Sequence, residues 1–208
     1  PQIEKKDHAT PFVNGTRDQI IVRDKSDYGN DSIPLTVANT PAFVEDCKIG
    51  KQGTDFSKAF GKTIVIDNFV KPKSFTVCTW AKINAGTFAE QPGRFGHNIY
   101  TNNDGFCFSS ILTCWVKNSD GRQFLPFNGA QYGVWGHYCF TYDETTGILN
   151  TYLNGNLCNT RTLTNKIVVY GGAINSISIS LSPYPTNGLM DDLRIYATAL
   201  TAADVKEI

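Results

Sequence analysis

Six residues with aromatic, amide, carboxylate or guanidinium side chains fall in predicted loops and could together recognise a sugar. Sugar recognition commonly places an aromatic ring against the apolar face of the sugar, while amides and carboxylates on loops hydrogen-bond to the hydroxyls. The candidate ligand-binding residues are Arg94, Asn102, Asn103, Asp104, Tyr184 and Asn187. The competing interpretation is local, because prolines would stiffen the turn around Tyr184 and asparagines favour turns in general.

The carboxylates show no arrangement suited to glycoside hydrolysis. That chemistry needs two carboxyl groups facing each other across a cleft, and no strand with alternating acidic residues is present. Asp143 and Glu144 fall in a predicted turn. Asp191 and Asp192 are adjacent, so on a strand they would point to opposite faces. We therefore predict that the protein is not an enzyme.

The histidines do not indicate a catalytic or transition-metal site. His8, His97 and His137 have no second ligand at metal spacing, and no Gly-x-Ser-x-Gly motif accompanies them. His137 lies in a predicted strand, where packing and hydrogen bonding are the expected roles. A calcium ion would need several oxygen ligands converging from loops, and Asn102-Asn103-Asp104 is the best candidate segment for it.

The six cysteines allow a disulfide framework but not a typical zinc site. No C-x-x-C pair is present, so a structural zinc ion has little support. An even number of cysteines permits three disulfides, while isolated buried thiols are the alternative. The positions are Cys47, Cys78, Cys107, Cys114, Cys139 and Cys158.

Size and charge narrow the possible partners. A chain of 208 residues with 41% apolar residues is expected to form one principal domain with a single core. Lys plus Arg equals Asp plus Glu at 19 each, so no overall field would attract nucleic acid or an anionic membrane. No run of eighteen apolar residues occurs, so no membrane insertion is predicted.

The segments that must position these residues are predicted to be short strands. Apolar and β-branched runs bounded by Gly, Asn, Asp and Pro are typical of an antiparallel sandwich. Asn154-Gly155 between two apolar runs predicts a tight hairpin, and Thr201 followed by Asp204 predicts a capping box at a short last helix. Trp80, Trp115 and Trp135 are expected in the core. The predicted strands are 19–23, 62–67, 74–83, 105–108, 112–117, 136–142, 149–153, 177–181 and 189–196.

Three segments carry a resemblance to a known family. They are Ser74-Phe-Thr-Val-Cys-Thr-Trp-Ala-Lys, Trp135-Gly-His-Tyr-Cys-Phe-Thr-Tyr-Asp, and the closing stretch from Asn187 through Leu-Arg-Ile-Tyr to Ile208. Their order and spacing resemble laminin G-like and pentraxin-like jelly rolls of the concanavalin A-like type. The resemblance implies an all-β, two-sheet antiparallel jelly-roll sandwich with a short C-terminal helix. It covers 27–208, ending at Ile208, and leaves 1–26 as an N-terminal arm or added edge strand.

The resemblance also implies a disulfide, because pentraxins place a bridged cysteine in each of the two corresponding strands. Cys78 and Cys139 occupy those places. Cys107 and Cys114 flank a predicted hairpin and could pair, which would leave Cys47 with Cys158. Three pairings of these four cysteines are possible.

The same resemblance implies a function without catalysis. We expect a recognition or adhesion module, extracellular or on a particle surface, that binds a glycan or a glycosylated partner through rim loops. The alternative is a structural interaction protein in a larger cell-surface or viral assembly, with protein partners and no sugar ligand. Asn102-Asn103-Asp104 resembles the position of a pentraxin calcium pair, but 182–187 replaces the long acidic loop that completes that site, so no cofactor is predicted.

Overall fold

The computed structural model describes residues 2–4, 42–50, 53–56, 64–67, 71–84, 97–102, 104–109, 113–171, 176–179 and 187–208. Within these ranges the chain forms strands β1 (Gln2–Glu4), β2 (Ala42–Val44), β3 (Gly53–Asp55), β4 (Ile64–Asp67), β5 (Phe75–Ile83), β6 (His97–Asn102), β7 (Phe106–Ser109), β8 (Thr113–Asn118), β9 (Gly121–Pro126), β10 (Gly136–Asp143), β11 (Ile148–Leu153), β12 (Asn156–Thr162), β13 (Ser176–Ile179) and β14 (Gly188–Tyr196). One helix, α1 (Ala202–Glu207), follows.

The strands form two sheets. The eight-stranded sheet has the order β12-β11-β10-β5-β14-β3-β2, and β1 pairs with β14. The six-stranded sheet has the order β4-β13-β6-β7-β8-β9. Neighbours are antiparallel except for the parallel pair of β1 and β14. The predicted fold class is therefore confirmed. The predicted strand at 19–23 and the predicted domain boundary at residue 27 lie outside the described residues.

Alternation along the strands decides which side chains enter the core. In β5, Phe75, Val77, Ala81 and Ile83 are buried in the main hydrophobic cluster, so the even-numbered residues between them face away from the opposite sheet. Aromatic rings join the two sheets, with the Phe75 and Phe106 centroids 4.4 Å apart. We call the side of the eight-stranded sheet that points away from the core its outer face.

The two central strands of the eight-stranded sheet are joined by a disulfide. Cys78 of β5 lies directly opposite Cys139 of β10, and the two sulfurs are bonded. This confirms the predicted pairing. The bridge lies on the outer face, where Val205 of α1 and Leu200 pack over it.

The other predicted disulfides are not formed, and Cys47, Cys107, Cys114 and Cys158 are free thiols. Cys107 lies opposite Trp115, whereas Cys114 lies opposite Phe108. A shift of one residue places the two thiols on opposite faces of the sheet.

The remaining pair is separated by the width of the other sheet. Cys158 belongs to β12 at one edge, and Cys47 follows β2 at the other. Five strands lie between these edges, and each adds about 4.8 Å. The expectation of a Cys47–Cys158 bridge was therefore wrong.

Two local predictions from sequence are confirmed. Leu153 pairs with Asn156 across a two-residue turn, and Asn154 and Gly155 have φ values of 52° and 75°, as a tight hairpin requires. Thr201 caps α1 in a reciprocal capping box with Asp204. No helix formed by the described residues has the length and apolar character needed to cross a membrane.

Candidate functional site

The described members of the predicted sugar-binding set lie at opposite ends of the sandwich. Phe106, two residues after Asp104, stacks on Phe75 at the start of β5. The carbonyl of Asn187 accepts a hydrogen bond of 2.8 Å from the amide of Asn84, just beyond the end of β5. These ends of β5 are separated by about 26 Å at 3.3 Å per residue.

We name the two ends after the first and last residues of β14, the Gly188 end and the Tyr196 end. Asn102, the last residue of β6, lies with Asp104 at the Tyr196 end, and Asn187 lies at the Gly188 end. The structure therefore does not bring these three residues together. Arg94, Asn103 and Tyr184 lie outside the described residues, so their place in a site is still a prediction.

The Asp104 carboxylate is engaged by two cations. Lys117 contacts one oxygen, and Arg122 approaches the other at 3.0 Å. Burial alone would raise the pKa of Asp104, but the hydrogen bonds from Lys117 and Arg122 outweigh burial and lower that pKa. A carboxylate held by two cations is a poor calcium ligand. No group of three or more His, Cys, Asp or Glu residues within the described ranges could hold a metal ion.

A bulge changes the expected placement of the adjacent aspartates of β14. Asp191 lies opposite Trp80 and Arg194 lies opposite Cys78, with a register shift between Asp191 and Arg194. Asp192 has a φ of 47° and forms an ion pair of 2.7 Å with Arg194. The inserted residue breaks the alternation, so both carboxylates lie on the outer face. The expectation that they point to opposite faces was wrong.

The carboxylates of Asp191 and Asp143 are both engaged in hydrogen bonds within the chain. Asp191 accepts the amide hydrogens of Lys48 and Ile49 at 2.9 and 2.7 Å. Asp143 accepts hydrogen bonds from Thr146 and its neighbours in the predicted turn, which lower its pKa. These are turn-stabilising contacts. A general acid of a glycosidase instead needs a raised pKa.

Two of the three tryptophans lie on the outer face. Trp115 has no exposed surface, as predicted, but it lies opposite Cys107 on the side of the six-stranded sheet that faces away from the core. Trp80 and Trp135 are only half-buried, and the expectation that they belong to the core was wrong for both. The face could have been read from parity in the sequence, because Trp80 is two residues from Cys78 and Trp135 is two residues from His137.

These two indoles lie beside an ion pair at the Gly188 end. The Trp135 Nε1–H donates to Asp46 Oδ1 at 2.8 Å, and the Lys82 ammonium approaches Asp46 Oδ2 at 2.8 Å. The hydrogen bond from Lys82, followed by that from Trp135, lowers the pKa of Asp46. We call this surface, made by Asp46, Trp80, Lys82, Tyr132 and Trp135, the tryptophan rim.

A glycine-containing loop supplies the exposed part of the tryptophan rim. Gly133 has a φ of 72°, which favours glycine, and its amide donates to the Ile83 carbonyl at 2.6 Å. This bond fixes the loop against the end of β5. Tyr132 and Val134 on either side are 43% and 50% exposed. The chain therefore presents aromatic and apolar side chains at one end of the sandwich.

A buried histidine lies beneath Trp80. The His137 and Trp80 ring centroids are 5.3 Å apart, and the His137 amide donates to the Asn154 Oδ1 atom at 2.9 Å. The ring Nε2 atom is buried without a hydrogen-bond partner. Burial lowers the pKa of His137 to about 4, so the ring is neutral at neutral pH. The predicted packing role fits this environment.

The tryptophan rim has groups suited to binding a neutral ligand. Aromatic side chains there can cover an apolar ring face, while Asp46 and Lys82 provide hydrogen-bond acceptors and donors. The Lys48 ammonium lies 5.6 Å from the Trp80 ring centroid, so one side of that indole is next to a cation. Sequence reasoning missed this surface because it assigned the tryptophans to the core.

Comparisons with known proteins agree with the two-sheet sandwich fold described above. The family model for the concanavalin A-like lectin/glucanases superfamily matches residues 60–206. No curated protein sequence matches at a significant level. Among solved structures, the binding domain of Paraclostridial Mosquitocidal Protein 1 aligns with a TM-score of 0.63 and 13% identity, over 80% of this chain and 44% of that one.

Two further structures illustrate the range of similar folds. The botulinum neurotoxin serotype G binding domain aligns with a TM-score of 0.61 and 18% identity, over 89% of this chain and 47% of that one. Domain 4 of AbnA, a GH43 extracellular arabinanase from Geobacillus stearothermophilus, solved with arabinotriose, aligns with a TM-score of 0.58 and 22% identity, over 81% and 80%. The chain thus spans less than half the length of the toxin binding domains. At these identities the likeness concerns the fold.

Proposed function

Because the chain belongs to the concanavalin A-like lectin/glucanases superfamily, we propose that it is a non-enzymatic recognition module that binds a glycan or a glycosylated partner through the tryptophan rim. The fold alone supports many functions, so the proposal depends on one observation. Two half-buried indoles and an exposed tyrosine lie around a fixed carboxylate–ammonium pair at one end of the sandwich.

The side chains of the tryptophan rim favour sugar binding for a physical reason. A sugar ring has an apolar face of C–H groups and an edge of hydroxyls, so it needs a flat apolar surface next to directed polar groups. Trp135 and Tyr132 provide the first, and Asp46 with Lys82 provides the second. Tyrosine and tryptophan also lose little conformational entropy on binding.

The environment of the carboxylates favours recognition over hydrolysis. The pKa values of Asp46, Asp104 and Asp143 are all lowered by hydrogen bonds. A glycosidase needs one carboxyl group that stays protonated near neutral pH. These three groups are therefore suited to accepting hydrogen bonds and unsuited to donating a proton.

The disulfide supports an extracellular or particle-surface location. Bridges of this kind persist in oxidising compartments and are rare where thiols are kept reduced. The structural neighbour solved with arabinotriose suggests short oligosaccharides as first probes. We include Asn187 as a proposed contributor at the Gly188 end, and we keep Tyr184, which lies outside the described residues, as a proposed ligand-binding residue.

A glycan array with disulfide-intact protein, with and without calcium, tests this function. We expect binding that does not depend on calcium, and a loss of about tenfold or more in affinity for Trp135→Ala or Tyr132→Ala. Ile167→Ala is the matched control, because Ile167 is 71% exposed and lies near the Tyr196 end. Absence of glycan binding, together with a stoichiometric protein complex that survives competing sugars, would favour the structural interaction protein instead.

A further inference from the structure

We propose that the Asp46–Lys82 ion pair binds two adjacent hydroxyls, a vicinal diol, of an uncharged sugar whose ring covers Trp135. This inference rests on the proposed function and specifies the ligand class and the residues that determine specificity. It assigns to Asp46 the role of accepting a hydrogen bond from one hydroxyl. Lys82 donates to the neighbouring hydroxyl.

The pair has unused hydrogen-bonding capacity after its internal contacts are counted. Each Asp46 oxygen has two acceptor sites and the Lys82 ammonium has three donors. The Trp135 indole N–H occupies one acceptor site on Asp46 Oδ1. Lys82 occupies one acceptor site on Asp46 Oδ2 and uses one of its three donors to do so. Acceptors and donors therefore remain side by side. A vicinal diol fits such a pair, because each hydroxyl donates and accepts.

The pair is also reachable and held in place. The side chains of Lys82 and Asp46 are 31% and 49% exposed, so a sugar can approach without movement of the chain. The indole N–H of Trp135 holds Asp46 from the other side. This contact fixes the acceptor relative to the ring that would stack on the sugar, which lowers the entropy lost on binding.

The charges around the rim favour an uncharged sugar. Within the tryptophan rim the one carboxylate, Asp46, is paired with the one ammonium, Lys82, so the rim itself has no positive excess that would select a sulfated or carboxylated glycan.

Affinity measurements with methyl glycosides of mannose, galactose and glucose, each with its mono-deoxy analogues, test the inference. We expect wild-type protein to bind at least one parent glycoside and to lose about tenfold in affinity when either of two adjacent hydroxyls is removed. Asp46→Asn and Lys82→Gln should each lose about tenfold for the parent. Glu45→Gln is the matched control, since it removes the same charge one residue away, and should stay within about twofold.

The deoxy analogues separate ligand contact from a structural role. If Asp46 contacts a hydroxyl, Asp46→Asn no longer discriminates against the analogue that lacks it, so the two changes are non-additive. If Asp46→Asn weakens binding of the parent glycoside and of the deoxy analogue by the same factor, the inference is overturned. It is also overturned if the wild-type protein binds only charged glycans, or if it binds none of the methyl glycosides. Each of these three results leaves the proposed function standing when the array is positive. A negative array overturns the proposed function itself.

Discussion

At the scale of single residues, His137 combines burial with a titratable ring. It is 5% exposed and lies against Trp80, and the charges of Asp192 and Arg194 also affect its pKa. Burial disfavours the charged ring more than Asp192 favours it, so the pKa falls from 6.5 to about 4. The unfolded chain therefore binds a proton at a higher pH than the folded chain.

This difference predicts how stability depends on pH. The contribution of neutral His137 is fully present above pH 6.5 and is lost as the pH falls towards about 4. Between pH 7 and pH 5 the free energy of unfolding should fall by about 2 kcal/mol from this group. Denaturant unfolding of wild-type and His137→Gln protein at both pH values measures it. The same pH dependence in both proteins would contradict the prediction.

The carboxylates act in a different pH window. Asp46, Asp104, Asp143 and Asp204 have lowered pKa values, so their contributions are lost as the pH falls below 3.8, the ordinary value for aspartate. Comparing the free energies of unfolding of wild-type and His137→Gln protein above pH 4.5 therefore measures the contribution of the histidine alone.

At the scale of elements, α1 is a short helix that depends on its cap. Thr201 accepts a hydrogen bond from the Asp204 amide, and Asp204 in turn accepts from the Thr201 amide. Six residues are too few for a stable isolated helix. Docking of Val205 on the disulfide side of the sheet supplies the remaining stability.

Thr201→Ala should lower the free energy of unfolding by about 1 kcal/mol, because the cap is lost while the docked face is unchanged. Thr201→Ser keeps the hydroxyl and should stay close to wild type. Thermal or denaturant unfolding of the three proteins gives the comparison. Equal destabilisation by both substitutions would show that the methyl group, and not the cap, carries the effect.

The strands differ in how well the sequence predicts them. The long strands β5, β10 and β14 were predicted closely, because each is a long apolar and β-branched run bounded by turn-forming residues. β2 and β3 have three residues each, too few to show a period. The bulge at Asp192 was not foreseen, since no glycine marks it.

The candidate site was harder to predict than the fold. The sequence places Asp104 and Asn187 in loops, but it does not say to which end of a sandwich each loop belongs. The tryptophan rim depends on Asp46, which follows β2 and reaches Trp135 across 89 positions of sequence. Contacts between such distant segments follow from strand order, which local patterns do not encode.

At the scale of the whole molecule, the disulfide closes a long loop. Cys78 and Cys139 are 61 positions apart, and closing such a loop stabilises by about 4 kcal/mol in the chain-entropy model. The four other cysteines form no bridge. Full burial raises the pKa of the Cys107 and Cys114 thiols, whereas Cys47 and Cys158 are only half-buried.

Replacing both bridged cysteines by alanine should therefore lower the free energy of unfolding by about 4 kcal/mol. Denaturant unfolding of the variant and of wild-type protein measures this difference.

Native thiol labelling of unreduced wild-type protein should modify Cys47 and Cys158 first, with Cys107 and Cys114 reacting only after unfolding. Mass mapping of the labelled peptides shows the order. Rapid native labelling of Cys107 or of Cys139 would contradict this arrangement.

The position of the cross-link has a mechanical consequence. Trp80 is two residues from Cys78, and His137 is two residues from Cys139, on strands that lie side by side. A pull on anything attached near these rings would reach a covalent joint after two residues along either strand. Tension would then be shared between both central strands, and shearing them apart would require more than the rupture of backbone hydrogen bonds.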